Sequence, residues 1–334
     1  MKTLVTGASG FLGLNLLKHM AEAHPAAEIV AADLFSPSVE DRARIGAAAG
    51  RIEYRPLDVT DLDACRGLTE LARPTHIVHA AAVTLPHGSA RSKELTYAIN
   101  LEGTRNVLKA AVSAGSVARF VLLSSSGVYK QSCDAVPCDE EHPLDPSMGY
   151  AHAKREAEML MAEYEREGNF PVLAARVGPV YGEFERWRAT RPNVSMVQRL
   201  RDLLEEEGVV RVAGTDMHRD WTHAGDIAAG LDGLLFARTL NHRIYNVSAG
   251  VSVSARSILD VFIEHGMRVE WTAAENDADI VLSPRDNRKA LVIDSLKKDT
   301  GFAPRFDIRT GISQLIASRE RATTAMNNQE TFAP

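Results

Sequence analysis

Tyr150 and Lys154 stand four residues apart, and Ser124-Ser125-Ser126 end the strand that precedes them. A spacing of four on a helix puts both side chains on one face. A tyrosine near its usual pKa of about 10 is a poor base at neutral pH. A neighbouring ammonium favours the phenolate and lowers that pKa. Such a pair can take a proton from a carbinol, and a serine at the carboxyl end of a strand can hold the carbinol oxygen. The chemistry this predicts is hydride removal at a carbinol carbon, with a dinucleotide as acceptor. A Tyr-x-x-x-Lys pair is frequent by chance, so the weight comes from the features that precede it.

The first of these is Gly7-Ala8-Ser9-Gly10-Phe11-Leu12-Gly13, which follows an apolar run and opens a helical pattern. Glycine permits a tight turn and close approach of backbone to a pyrophosphate, and the helix N-terminus supplies free N–H groups. A plain strand-to-helix turn has the same look. Asp33 adds context, because it ends the second strand 20 residues after Gly13. A carboxylate there accepts ribose hydroxyls and repels a 2′-phosphate, which favours NAD over NADP. Asp58-Val59 follows the third strand, where an adenine edge would lie. Asp58 equally suits the N-cap of a helix starting near residue 61. His79-Ala80-Ala81-Ala82 ends the fourth strand, and its small residues suit either a passing ligand or tight helix–sheet packing.

These residues need a scaffold, and the chain supplies one. Strands are predicted at 2–6, 28–32, 52–56, 76–80, 119–124 and 172–177, with helices at 11–23, 61–72, 92–114 and 148–167. Strands alternating with helices imply a doubly wound parallel sheet of the Rossmann type, an α/β fold. The second half is less regular: a helix at 226–237, a strand at 243–247, a helix at 255–266, and no strand pattern across 183–216. The reading is a dinucleotide-binding domain over 1–182, completed by about 217–250. A smaller C-terminal substrate lobe takes 183–216 and 251–320, and residues 321–334 form a frayed tail.

Bulk properties narrow the function classes. Apolar residues are 45% of the 334, enough for a substantial core, and charged residues are 25%. The net charge of −6 argues against a nucleic-acid partner. No signal peptide fits the first residues, and no run of about 18 apolar residues predicts a membrane span. Three cysteines, Cys65, Cys133 and Cys138, fit reduced thiols in the cytosol and give no metal-ligand spacing.

In this order the motifs resemble the extended short-chain dehydrogenase/reductases, the NAD-dependent epimerase/dehydratase family. The resemblance spans almost the whole chain. It rests on GASGFLG at 7–13, Asp33, LDV at 57–59, HAAA at 79–82 and Asn100. It continues through SSSGVY at 124–129, YAHAK at 150–154, VGPVYG at 177–182 and RDWTHAGD at 219–226. It implies Ser125, Tyr150 and Lys154 as catalytic residues, Tyr150 taking the proton and Lys154 tuning it and orienting the ribose. Asn100 would sit near the crevice, although a helix asparagine bonded to backbone has the same look. The cofactor set is then Gly7, Ser9, Gly10, Phe11, Leu12, Gly13, Asp33, Asp58, Val59, Ala80, Ala81, Ala82, Asn100, Ser124, Tyr150, Lys154 and Gly178. The resemblance also implies a homodimer through the helix pair 92–114 and 148–167, with Leu95, Ile99, Val107, Met159 and Leu160 as its apolar residues.

Three departures bear on the substrate. Pro179 stands where many nucleotide-sugar members have asparagine. The C-terminal Arg-Pro-Gly-Asp stretch is Ser283-Pro284-Arg285-Asp286 here. Ser126-Gly127 stand where water-eliminating members carry Asp-Glu, which argues against a dehydratase. A cluster of Arg186, Arg188, Arg191 and Arg219 suits an anion, since arginine forks grip carboxylate or phosphate at two points. Glu183 and Glu185 beside it suit an acid-balanced loop instead. With Thr84, Ser125 and Ser126, these arginines make the candidate substrate set. The favoured reading is an NAD-dependent dehydrogenase acting on an anionic, carbohydrate-type small molecule such as a sugar acid or lactone. A nucleotide-sugar epimerase is the alternative, and a cofactor-binding regulatory protein without chemistry is the second.

Overall fold

The computed structural model describes residues 1–85, 89–130, 137–147 and 149–318. Its first half runs β1 (Lys2–Thr6), α1 (Phe11–Ala23), β2 (Glu28–Asp33), α2 (Val39–Ile45), β3 (Ile52–Pro56) and α3 (Leu62–Ala72). Then follow β4 (His76–His79), α4 (Ala90–Tyr97), α5 (Gly103–Ala114), β5 (Arg119–Ser125), α6 (Gly149–Met159), α7 (Met161–Gly168) and β6 (Val172–Val177). Seven parallel strands pair in the order Ile244–Val247, β6, β5, β4, β1, β2, β3. The chain therefore builds outward from β1 in one direction and then restarts at β4 in the other. That reversal opens a crevice beyond the carboxyl ends of β1 and β4, the usual ligand position in such sheets.

Both faces of the sheet are covered, which explains why its strands are apolar throughout rather than alternating. On one face Val5, Val78 and Val121 pack under Leu14 and Leu17 of α1 and Ile227 and Leu231 of α9 (Ala224–Phe236). On the other, Leu4, Ile77 and Phe120 pack under Val107 and Leu108 of α5 and Tyr164 of α7. The α/β expectation is borne out.

The helix read as 92–114 runs from 90 to 114 but contains a π-helical turn at Ala98–Glu102. The one read as 148–167 breaks at Leu160 into α6 and α7. Of the apolar residues assigned to a dimer face, Leu95 and Met159 are exposed at 41% and 65%. Val107 and Leu160 are buried in the sheet core instead. The segment 183–216 is more ordered than its composition suggested. It contains α8 (Met196–Glu207), N-capped by Ser195, and the strand Val209–Gly214. That strand lies between two parallel partners, Arg268–Trp271 and Ile280–Leu282, and α10 (Ala255–Glu264) closes the same small core. Residues 321–334 and Cys133 lie outside the described residues. No described helix is long and apolar enough to cross a membrane.

The catalytic helix candidate, α6, is tied down by charge. Arg176 of β6 forks onto Glu158 of α6, Nε to Oε1 at 2.9 Å and Nη2 to Oε2 at 2.8 Å, with both side chains 1% exposed. The Ser124 hydroxyl donates to the same Glu158 at 2.6 Å. Burial works against the Arg176 charge, but Glu158 more than offsets this and raises the guanidinium pKa. Removing one partner of a buried pair leaves an uncompensated charge and costs about 3–5 kcal/mol. Arg176→Met should therefore destabilise the fold by that order in urea unfolding, and adding Glu158→Gln should restore most of it. A double variant as unstable as the single one would show that the pair is not what holds α6.

Candidate active site

The glycine turn is shaped by contact as well as by freedom. Gly7 sits at φ +67°, and a β-carbon there would lie 2.4 Å from the Ala81 amide nitrogen. A β-carbon at Gly13 would lie 2.2 Å from the Gly7 carbonyl. Ala80 and Ala81 thus run against the turn, and the small residues at 80–82 serve close packing at this point. Gly10 caps α1 with no side-chain hydrogen bond, so the first amides of Phe11 and Leu12 have no capping acceptor from it. A buried helix start without a cap, beside a turn that excludes side chains, fits a dinucleotide pyrophosphate. The Ser9 amide donates to Asp33 at 2.9 Å and the Ser9 hydroxyl to the Phe35 carbonyl at 2.7 Å. Asp33 is thereby fixed at the lip of the turn, where a ribose would lie.

Other expected cofactor residues fall into place with different jobs. Asp58 accepts from the Thr60 amide and hydroxyl, while the N-cap of α3 is Asp61, not Asp58. Val59 is buried against Gly103. Asn100 is fully buried in the π-helical turn. Its amide donates to the Val83 carbonyl at 2.9 Å and its Oδ1 accepts from the Val83 amide at 2.8 Å. It clamps the segment after β4, so its backbone-bonding role is realised. Gly178 faces the Asp220 carbonyl and Ser248, in the seam between sheet and lobe.

At the end of β5, Ser125 accepts from the Gly127 amide at 3.1 Å, and its hydroxyl stands near enough to Tyr150 to influence the phenol. Burial raises the Tyr150 pKa; Arg191 and the neighbouring Ser125 hydroxyl oppose the rise. Lys154 is 1% exposed, donates to the Leu123 carbonyl at 2.8 Å and lies 5.9 Å from the Tyr150 ring centre. Burial lowers its pKa to about 8, with Glu158 resisting. The ammonium form therefore still dominates at neutral pH. Ser126 begins a short helical turn just beyond.

The four arginines are not one cluster. Arg186 forks onto Asp41 of α2 at 2.7 and 2.6 Å. Arg191 pairs with Glu185 at 2.9 Å and stacks over Phe11, 5.1 Å from its centre. Arg219 bonds the Asp286 carbonyl at 2.8 Å and carboxylate at 3.1 Å, over the Trp221 ring. Arg188 makes no side-chain hydrogen bond among the described residues and stands within electrostatic range of Asp41 and Asp33. Thr84 donates its amide to Thr190 at 2.9 Å. The Thr84 hydroxyl and the Arg191 Nε are buried without partners among the described residues.

Several residues that matter here carried no local signal. Glu158 and Arg176 are 18 positions apart and meet only through the sheet. Asp220 of the RDW stretch is buried and accepts from Ser248, Gly250 and Leu291, stitching the lobe to the sheet end. A constraint of this kind leaves no spacing to read. Among the described residues no group of His, Cys, Asp or Glu could hold a metal ion.

Comparison with known proteins agrees with this fold. A dTDP-glucose 4,6-dehydratase of Streptomyces griseus is 25% identical over 318 residues, covering 94% of this chain and 92% of its own. The crystal structure of a dTDP-glucose 4,6-dehydratase from Bacillus anthracis in complex with NAD superposes with a TM-score of 0.77 at 19% identity, covering 96% and 97% of the two chains. That of a UDP-glucose 4-epimerase from Thermotoga maritima with UDP-glucose does so with a TM-score of 0.80 at 19% identity, covering 97% and 100%. The family model for the NAD dependent epimerase/dehydratase family matches residues 3–248, and the chain belongs to that family as an NAD-dependent enzyme.

Proposed function

We propose that the protein epimerises a nucleotide sugar, removing a hydride from a ring carbinol and returning it to the other face. The observation that carries this is the placement of Tyr150 beside Lys154, whose ammonium lies 5.9 Å from the ring centre, next to Ser125 at the end of β5. Tyr150 takes the carbinol proton, Ser125 holds the oxygen, and the Lys154 ammonium steadies the phenolate. Bound NAD supplies the hydride acceptor. The same residues return the proton on the reverse step. Gly7, Gly10, Gly13, Asp33 and the amides of Phe11 and Leu12 would hold the dinucleotide. Epimerisation is favoured over water elimination at position 127. Glycine there offers no carboxyl group to protonate a leaving hydroxyl.

A nucleotide-sugar substrate is supported by Arg219. It is gathered with Arg288 around the Ser283–Asp286 turn, so the shifted C-terminal motif still delivers cationic groups to one place. Arginine suits a diphosphate there. The sugar-acid reading retains one specific support. Arg191 lies near enough to Tyr150 to favour its phenolate, and its buried Nε and the Thr84 hydroxyl have no partner among the described residues. A substrate carboxylate or hydroxyl next to the reacting carbon would meet that need.

Tyr150→Phe should lower turnover at least a hundredfold while NAD affinity stays within about threefold, because only the proton-transfer group is lost. Activity near the native level in this variant would overturn the mechanism. Substrate class separates by calorimetry on the NAD-loaded protein. Uridine diphosphate should bind at micromolar affinity and lose about tenfold or more in Arg219→Ala. Binding and reduction of NAD by sugar acids alone would replace the epimerase reading with a dehydrogenase one.

Exposed Leu95 on α4 and Met159 on α6 lie on neighbouring helices and support a two-fold dimer through that face. Light scattering at micromolar concentration should give twice the chain mass. Leu95→Asp with Met159→Asp should give the monomer, and a native protein of single-chain mass would refute the dimer.

A further inference from the structure

Residues 183–195 cross the carboxyl ends of three sheet strands. At one side Arg186 forks onto the fully buried Asp41, just past β2. Asp41 is also the N3 residue of a capping box with Ser38, so its carboxylate is fixed before Arg186 reaches it. In the middle, Arg191 covers Phe11, the first residue of the helix that follows β1. At the other side, the Thr190 carbonyl accepts from Thr84, in the segment after β4. Within the segment, Arg188 and Arg191 exchange backbone hydrogen bonds at 3.2 and 2.9 Å. Glu185 accepts from Arg191 and from the Ser195 amide and hydroxyl. The segment is thus internally braced and moored on both banks of the crevice that the glycine turn and Asp33 define.

We propose that residues 183–195 are a strap over the bound dinucleotide, latched by Arg186–Asp41, and that Arg188 grips the phosphate of its adenosine half from above. Arg188 is half-buried and flanked by Arg186, Asp41 and Asp33, yet it makes no side-chain bond among the described residues. Its nearest expected neighbour is the ribose that Asp33 would hold. The adjoining phosphate is the anion within that reach, and a guanidinium suits it. The strap would then have to unlatch for the cofactor to leave. A retained cofactor suits a reaction that returns its hydride, so this inference rests on the epimerase reading for its purpose, though not for its test.

The test follows NADH fluorescence in the full-length protein with no substrate present. Excess NAD is added to the NADH complex and release is timed by stopped flow; equilibrium affinity comes from titration. Arg186→Met should release NADH at least tenfold faster. Arg188→Ala should weaken NADH binding about tenfold, with Arg188→Lys in between. Both side chains are part-exposed, and circular dichroism at the assay temperature would verify that each variant is folded, since Arg186→Met leaves buried Asp41 without its cation and lowers the thermal midpoint. Native release by Arg186→Met, or native affinity in Arg188→Ala, overturns the proposal. A protein that shows the expected release but turns over no nucleotide sugar would refute the epimerase reading and leave the strap standing.

Discussion

The candidate site depends on a charge pair buried away from solvent, Glu158 with Arg176. Glu158 and Arg176 are buried together where three parts of the chemistry meet. Glu158 is one helical turn beyond Lys154 and two beyond Tyr150. Among its further partners, Ser124 immediately precedes Ser125, and Arg155 reaches Glu158 from the same helix. Arg176 in turn stacks over Tyr129 and donates to the Glu140 carbonyl, while Tyr129 bonds Asn246 in the outermost sheet strand. An isolated charge in such a position is very costly, and only near-complete pairing makes it tolerable. The two-point fork is directional, so it fixes rotation and height of α6 over β5 and β6 in a way that apolar packing would not.

The opposite bank of the crevice is fixed by exclusion instead. Gly7 and Gly13 are places where any side chain would strike backbone, and that absence brings β1, α1 and the end of β4 into contact. Asn100 then holds Val83 at both its amide and its carbonyl, which sets where the chain goes after β4. The π-helical turn that presents Asn100 is an irregularity of a kind often met at functional sites. One bank is positioned by attraction between charges, the other by close backbone packing. The dinucleotide crevice is the gap left between them.

How much of this was legible follows from range. The glycine turn, Asp33 and Tyr150–Lys154 declare themselves through local spacing, because a strand end, a turn and a helix face are short-range objects. The strands of the main sheet were legible for the same reason. The lobe was harder. The strand Val209–Gly214 is stabilised by partners about 60 residues downstream, and its alternation is too short to stand out. Helix α8 did carry a signal, with Ser195 as cap and Val197, Leu200, Leu203 and Leu204 on one side, but its many charges obscured it. The arginines show a different limit. Their count suggested an anion site, yet Arg186 is matched by Asp41, 145 positions earlier. Charge in sequence records what a residue carries, not what already answers it.

Lys154 joins these constraints. A lysine 1% exposed tends to give up its proton, and its pKa falls to about 8. Glu158 resists that fall, so the acid that anchors α6 also keeps its neighbour charged. Burial pushes the His79 pKa down to about 3, and the Lys154 ammonium adds to the fall. His79 is therefore neutral and free to bridge the Thr6 and Thr104 hydroxyls beneath the crevice. With His79 uncharged and Glu158 already forked by Arg176, Lys154 has no ion pair of its own among the described residues. The Lys154 ammonium stands beside the Tyr150 ring, 5.9 Å from its centre.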